Sequence, residues 1–231
     1  MIKRTPVTVI TGFLGSGKTT LLRYILKQSN KKLAVIVNEF GSIGLDGDLI
    51  NSCGFCDDKE IESRIVELNN GCLCCTVQED FLPTMQNLLA SERSIDGIII
   101  ETSGLALPRP LLAALSWPDI RSSVFINGVV TLVDGEALSK GSPIGDLDSF
   151  DKQREKDKSI DHENSIDELF TDQLEEADLV LISRADLIAK NSLDAVSVQI
   201  SKKVRPETPI LPIKKGDIDS VLILGLHRKQ E

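Results

Sequence analysis

One short segment limits the possible folds more than any other part of the chain. Gly12-Phe13-Leu14-Gly15-Ser16-Gly17-Lys18-Thr19-Thr20 has a glycine, four residues, then Gly-Lys-Thr. Before it lies the apolar run Val7–Thr11, and after it Lys18–Gln28 carries Leu21, Leu22, Ile25 and Leu26 at helical spacing. A strand, a glycine-rich turn and a helix in this order form a phosphate cradle. The glycines let the backbone curl so that successive N–H groups face one anion, and the helix N-terminus adds its dipole. Lys18 can reach β- and γ-phosphates, and the Thr19 hydroxyl can ligate Mg²⁺. Gly12, Gly15, Ser16, Gly17, Lys18, Thr19 and Thr20 are therefore candidate nucleotide-binding residues.

The rest of the chain continues the alternation. Apolar, β-branched runs at Leu33–Asn38, Ile65–Leu68, Gly97–Glu101, Phe125–Val133 (one strand or two), Asp178–Ser183 and Pro209–Ile213 read as strands. Helical patterns at 78–91, 111–115, 165–177, 193–204 and 217–224 lie between and after them. This is an α/β chain of the P-loop NTPase type, with a mainly parallel central sheet flanked by helices on both faces. Residues 1–214 read as one domain, and 215–231 as a C-terminal tail beginning a linker to a further domain. The highly charged stretch 146–164 has no apolar anchors and reads as a surface loop.

Charge and composition remove several functions. A net charge of −9 and 4% aromatic residues argue against a broad nucleic-acid footprint or a base-stacking surface. No apolar run reaches the roughly 18 residues of a membrane helix, and the start lacks a signal peptide's apolar stretch. A cytoplasmic protein without membrane or nucleic-acid partners is expected.

Three further segments carry chemistry. Gly97–Glu101 ends in Glu101-Thr-Ser-Gly104. A carboxylate at the end of a central strand lies beside the phosphate loop, where Glu101 can hold Mg²⁺ or a water, and Gly104 can offer its N–H to a γ-phosphate. With Lys18 they form the candidate catalytic set. After the strand 178–183 comes Ser183-Arg184-Ala185-Asp186. GTPases place an Asn-Lys-x-Asp segment here, whose aspartate receives two hydrogen bonds from guanine. Asp186 matches that position, Arg184 can cover the base as lysine would, and Ser183 stands where Asn is usual.

All five cysteines lie between positions 53 and 75. Such clustering points to metal or redox chemistry rather than to a disulfide framework. Cys72, Cys74 and Cys75 form a CxCC group whose thiolates suit Zn²⁺, Co²⁺, Cu⁺ or Ni²⁺. Cys53 and Cys56 can complete a closed structural zinc site, or stand apart from an exchangeable one. Glu39, after the second strand, lies between phosphate loop and cysteines in sequence and is a possible oxygen ligand.

Together GFLGSGKTT at 12–20, VNEFG at 37–41, GCLCCTV at 71–77, ETSG at 101–104 and SRAD at 183–186 resemble the CobW family of metallochaperone GTPases. The flanks IVELNNGCLCCTVQEDFLPTM and DHENSIDELFTDQLEEADLVLISRADL are more similar to its cobalamin-associated branch than to its zinc-associated one. The resemblance implies a GTP- and Mg²⁺-dependent carrier of Co²⁺ (or, in the zinc-associated branch, Zn²⁺) on Cys72, Cys74 and Cys75. GTP hydrolysis to GDP would release the metal to cobaltochelatase or another acceptor protein. Zinc or nickel delivery, or a structural zinc module that binds nucleotide without turnover, are the alternatives. Proteins of this class often pair across the nucleotide site, so a homodimer is also allowed.

Overall fold

A computed structural model describes residues 4–37, 65–67, 81–90, 95–145, 151 and 165–228. Among these residues, seven strands form one sheet: β1 (Thr5–Thr11), β2 (Leu33–Val37), β3 (Ile65–Glu67), β4 (Gly97–Glu101), β5 (Val124–Asp134), β6 (Leu179–Ser183) and β7 (Ile210–Pro212). Their order across the sheet is β3-β2-β4-β1-β5-β6-β7, and every neighbouring pair is parallel. The helices are α1 (Lys18–Gln28), α2 (Leu82–Ala90), α3 (Pro108–Leu115), α4 (Gly135–Ser139), α5 (Ile166–Glu175), α6 (Lys190–Ser201) and α7 (Ser220–Leu224).

The strands are apolar at successive positions because both faces of the sheet are covered. Ile98 and Ile100 of β4 pack with Met85 of α2 and Leu111 and Leu115 of α3. Ile99, pointing the other way, packs with Leu21, Leu22 and Ile25 of α1. Further along the α2/α3 face, Val180 and Ile182 of β6 meet Leu169 and Leu174 of α5 and Val196 and Ile200 of α6. Each fully buried isoleucine stabilises the fold by about 1.5–3 kcal/mol.

The expected β5 is one strand. Its Asn127-Gly128 interruption is a bulge: Ile126 pairs with Val7 and Gly128 with Thr8, leaving Asn127 as the extra residue. The Asn127 amide donates to Thr8 Oγ1 at 2.9 Å and to the Ile223 carbonyl at 3.1 Å. Gly128 gives Leu226 room there: a Cβ would lie 2.8 Å from Leu226 Cβ, so Leu226 would have to shift.

Packing runs past residue 214. Ile218 and Ile223 are buried in the α1-side core. Arg228 binds Glu176 at 2.7 Å and Asp178 at 3.0 Å. The cysteines, Glu39 and most of the 146–164 stretch lie outside the described residues. Among the described residues no helix is long and apolar enough to cross a membrane.

Candidate functional site

The order reverses at β1, with β4 on one side and β5 on the other. Loops leaving the C-terminal ends of these strands diverge there and open a cleft. The phosphate loop occupies it. Gly12, Gly15 and Gly17 have φ of 134°, 76° and 101°, conformations that only glycine adopts cheaply. At Gly12 the space is also absent: a Cβ would stand 2.3 Å from the Leu132 carbonyl oxygen. Gly17 begins α1 without a side-chain cap, so the first-turn N–H groups remain available to an anion.

Lys18 is buried, and its ammonium donates to the Gly12 carbonyl at 2.8 Å and the Phe13 carbonyl at 3.1 Å. Its charge is thus held over the curl of the loop. Next to it the Thr19 hydroxyl donates to Glu101 Oε1 at 2.8 Å, joining α1 to the end of β4. Two hard oxygens converge here, the donor chemistry Mg²⁺ prefers. Among the described residues Ser16 Oγ and Ser103 Oγ are buried without a hydrogen-bond partner, and both residues line the cavity. Phosphate oxygens and a coordinated cation would suit such a donor set.

Gly104 lies where the β4 loop crosses the phosphate loop. A Cβ there would sit 2.5 Å from the Leu14 backbone nitrogen and 3.1 Å from its Cα. Thr102 helps hold that crossing: its N–H donates to the Ile10 carbonyl at 3.0 Å and its hydroxyl to Thr11 Oγ1 at 3.0 Å. The expected set of Lys18, Glu101 and Gly104 therefore shares one cavity of about 460 Å³.

The same cavity reaches Ser183, Arg184 and Asp186. Arg184 takes a left-handed conformation, φ 53°, which turns the chain into the single 3₁₀ turn Ala185–Leu187 that carries Asp186. Its guanidinium is ion-paired to the buried Asp134, which also caps α4 through the Ala137 N–H. The Ser183 hydroxyl donates to the Val133 carbonyl at 3.2 Å, so it braces β6 against β5.

Sequence reasoning missed the opposite wall, Lys215 and Gly216 after β7. Their loop is fastened to the site: Ala185 N–H donates to the Ile213 carbonyl at 3.4 Å, and Lys214 stands 3.8 Å from Asp186. Gly216 lies so close to α1 that a Cβ would be 3.2 Å from the Thr20 carbonyl oxygen. The available signal was topological, since every loop at the strands' C-terminal edge borders this cleft. Cys72, Cys74, Cys75 and Glu39, the expected metal ligands, lie outside the described residues.

Comparison with known proteins places this geometry. The model of the CobW/HypB/UreG nucleotide-binding domain matches residues 6–212. The chain belongs to the CobW/HypB/UreG family. It is 48% identical over 222 residues to the zinc chaperone CobW of Sinorhizobium sp, covering 96% of this chain and 62% of that protein. It is 43% identical over 232 residues to the zinc chaperone CobW of Pseudomonas aeruginosa, covering 100% and 62%. The chain thus spans less than two thirds of the length of these CobW relatives. Among solved structures, Zn(II)-bound YjiA GTPase from E. coli has a TM-score of 0.62 at 24% identity, over 97% of this chain and 62% of that one. HypB from Helicobacter pylori in complex with nickel has a TM-score of 0.52 at 20% identity, over 93% and 81%. These two share the P-loop fold. The CobW likeness read from the motifs is borne out over nearly the whole chain.

Proposed function

We propose that this domain binds and hydrolyses GTP with Mg²⁺ and uses the cycle to hold and release a transition-metal ion. The observation that carries the reading is the shared cavity. Lys18, the Thr19–Glu101 pair and Gly104 line it together with Asp186. In this reading the loop N–H groups and Lys18 bind the phosphates. Thr19 and Glu101 would hold Mg²⁺, whose chemistry is to neutralise charge developing on the β- and γ-phosphates. Gly104 senses the γ-phosphate and Asp186 accepts the guanine N–H groups, while Ser183 and Arg184 shape that end of the pocket.

The cargo is assigned to Cys72, Cys74 and Cys75, with Glu39 as a possible oxygen ligand. Thiolate donors admit both Zn²⁺ and Co²⁺. The names of the two CobW relatives favour zinc, and thiolates prefer Zn²⁺ to Co²⁺ on intrinsic affinity. With cobalt as cargo the acceptor is cobaltochelatase; with zinc it is another metal-dependent protein. Titrating the reduced protein with metal, in the presence of Mg²⁺ and either GTP or ATP, tests the scheme. Co²⁺–thiolate absorption reports binding, and Cys74→Ala and Cys75→Ala should abolish it. Equal occupancy in those variants, or turnover of ATP as fast as GTP, would overturn the assignment.

A further inference from the structure

α5 meets the nucleotide site at two points one turn apart. Phe170 stacks on Phe13 of the phosphate loop, with ring centroids 6.1 Å apart and planes inclined by 26°. Three residues on, along the same helix face, Gln173 Nε2 donates to the Gly104 carbonyl at 3.3 Å and the Ala106 carbonyl at 3.2 Å. Gln173 is 1% exposed. Its own carbonyl accepts the Thr131 hydroxyl at 2.9 Å, which ties that turn of the helix to β5.

A glutamine is a costly choice in this position. Its neighbours Leu169, Phe170 and Leu174 are buried apolar residues, and methionine would fill similar volume without desolvating an amide. Among the described residues the Gln173 Oε1 has no hydrogen-bond partner, and only the amide's N–H groups are used. Both go to carbonyls of the loop that crosses the phosphate loop at Leu14. That loop is closed on itself by the Ala106 N–H, which donates to the Ser103 carbonyl at 3.2 Å. The loop is therefore pinned between Leu14 on one side and Gln173 on the other, and both phosphate-facing loops rest on α5.

We propose that Gln173 is a positioning residue for nucleotide hydrolysis, holding the 102–106 loop against the phosphate loop so that Gly104 keeps a fixed place at the γ-phosphate end. This rests on the GTPase reading above. Gln173 does not line the cavity and acts through Gly104.

Two variants test it. Gln173→Met keeps the volume and removes both donors. It should lower kcat for GTP 10-fold or more, leave GDP affinity within twofold, and speed amide hydrogen exchange at 102–106 but not in β1. Gln173→Glu places a carboxyl before two carbonyl oxygens. Ionised, it is repelled; protonated, it donates one O–H. Its turnover relative to wild type should therefore recover as pH falls, whereas Gln173→Met shows no recovery. Wild-type kcat and exchange in Gln173→Met would overturn the proposal. So would a parallel fall of kcat, GDP affinity and melting temperature, which marks a merely structural residue. If the wild-type chain turned over no GTP, the functional reading would fall with it, and the exchange comparison would still decide whether Gln173 pins the loop.

Discussion

Replacing Gly104 by alanine puts a methyl group where the Leu14 backbone already stands, 2.5 Å from its nitrogen and 3.1 Å from its Cα. Heavy atoms in contact settle at about 3.5 Å or more. The obstacle is backbone, so one of the two loops must move by about 1 Å. Overpacking of this kind costs about 1–3 kcal/mol. In a chain of this size that lowers the melting temperature by roughly 2–12 °C. A 1 Å misplacement at a reacting centre can cost about 100-fold in rate. Gly104→Ala should therefore lose 10- to 100-fold in kcat, and GDP affinity, proposed above to depend on the phosphate loop and the Asp186 end, should fall less than kcat. Steady-state GTP hydrolysis, GDP displacement and a thermal melt read the three quantities. Wild-type kcat with an unchanged melt would refute the close approach of the two loops as a determinant of activity.

Thr19→Ala removes the hydroxyl bonded to Glu101. It should cost at least 10-fold in Mg²⁺-dependent turnover, measured by titrating Mg²⁺ at fixed GTP. Asp186→Asn, which keeps the side-chain volume, should reduce the preference for GTP over ATP by about 10- to 100-fold, read by competition binding. Glu176 is pushed up by burial, but hydrogen bonds from Arg109 and Arg228 outweigh this and hold its carboxyl below the usual value. A depressed carboxylate contributes stability that is present above the unfolded-state pKa, about 4.3, and lost as pH falls through the folded-state value. Glu176→Gln should lower stability at pH 7 and flatten its decline below about pH 4.5, as urea unfolding at several pH values would show.

The parts of the fold legible in the sequence are those with a strong local cause. α1 and β4 have the expected limits, because a glycine loop starts one and an unbroken GIIIE run defines the other. β5 was ambiguous because Asn127-Gly128 interrupts its apolar run. The bulge makes sense only once Thr8 and Ile223 are seen to receive the Asn127 amide. α4 is five residues long, too short for any period to register; its signal was the cap Asp134. α3 begins at Pro108, three residues before the apolar pattern, because proline is tolerated in a first helical turn.

The candidate site divides in the same way. The residues of the glycine loop are readable because each residue type is the one a phosphate cradle demands. Lys215, Gly216 and Gln173 reach the site or its loops only through topology. Gln173 lies 69 residues from Gly104 in the chain, and no local pattern links them.

The coupling of nucleotide to metal is tested most directly by the Zn²⁺ affinity of the reduced protein. It should be measured against a competing chelator with Mg²⁺ and either a non-hydrolysable GTP analogue or GDP, with Co²⁺ run alongside. This coupling predicts that Zn²⁺ binds about 5- to 150-fold more tightly with the GTP analogue. By linkage, Zn²⁺ tightens the analogue by the same factor. Equal Zn²⁺ and Co²⁺ affinities in the two nucleotide states would contradict it.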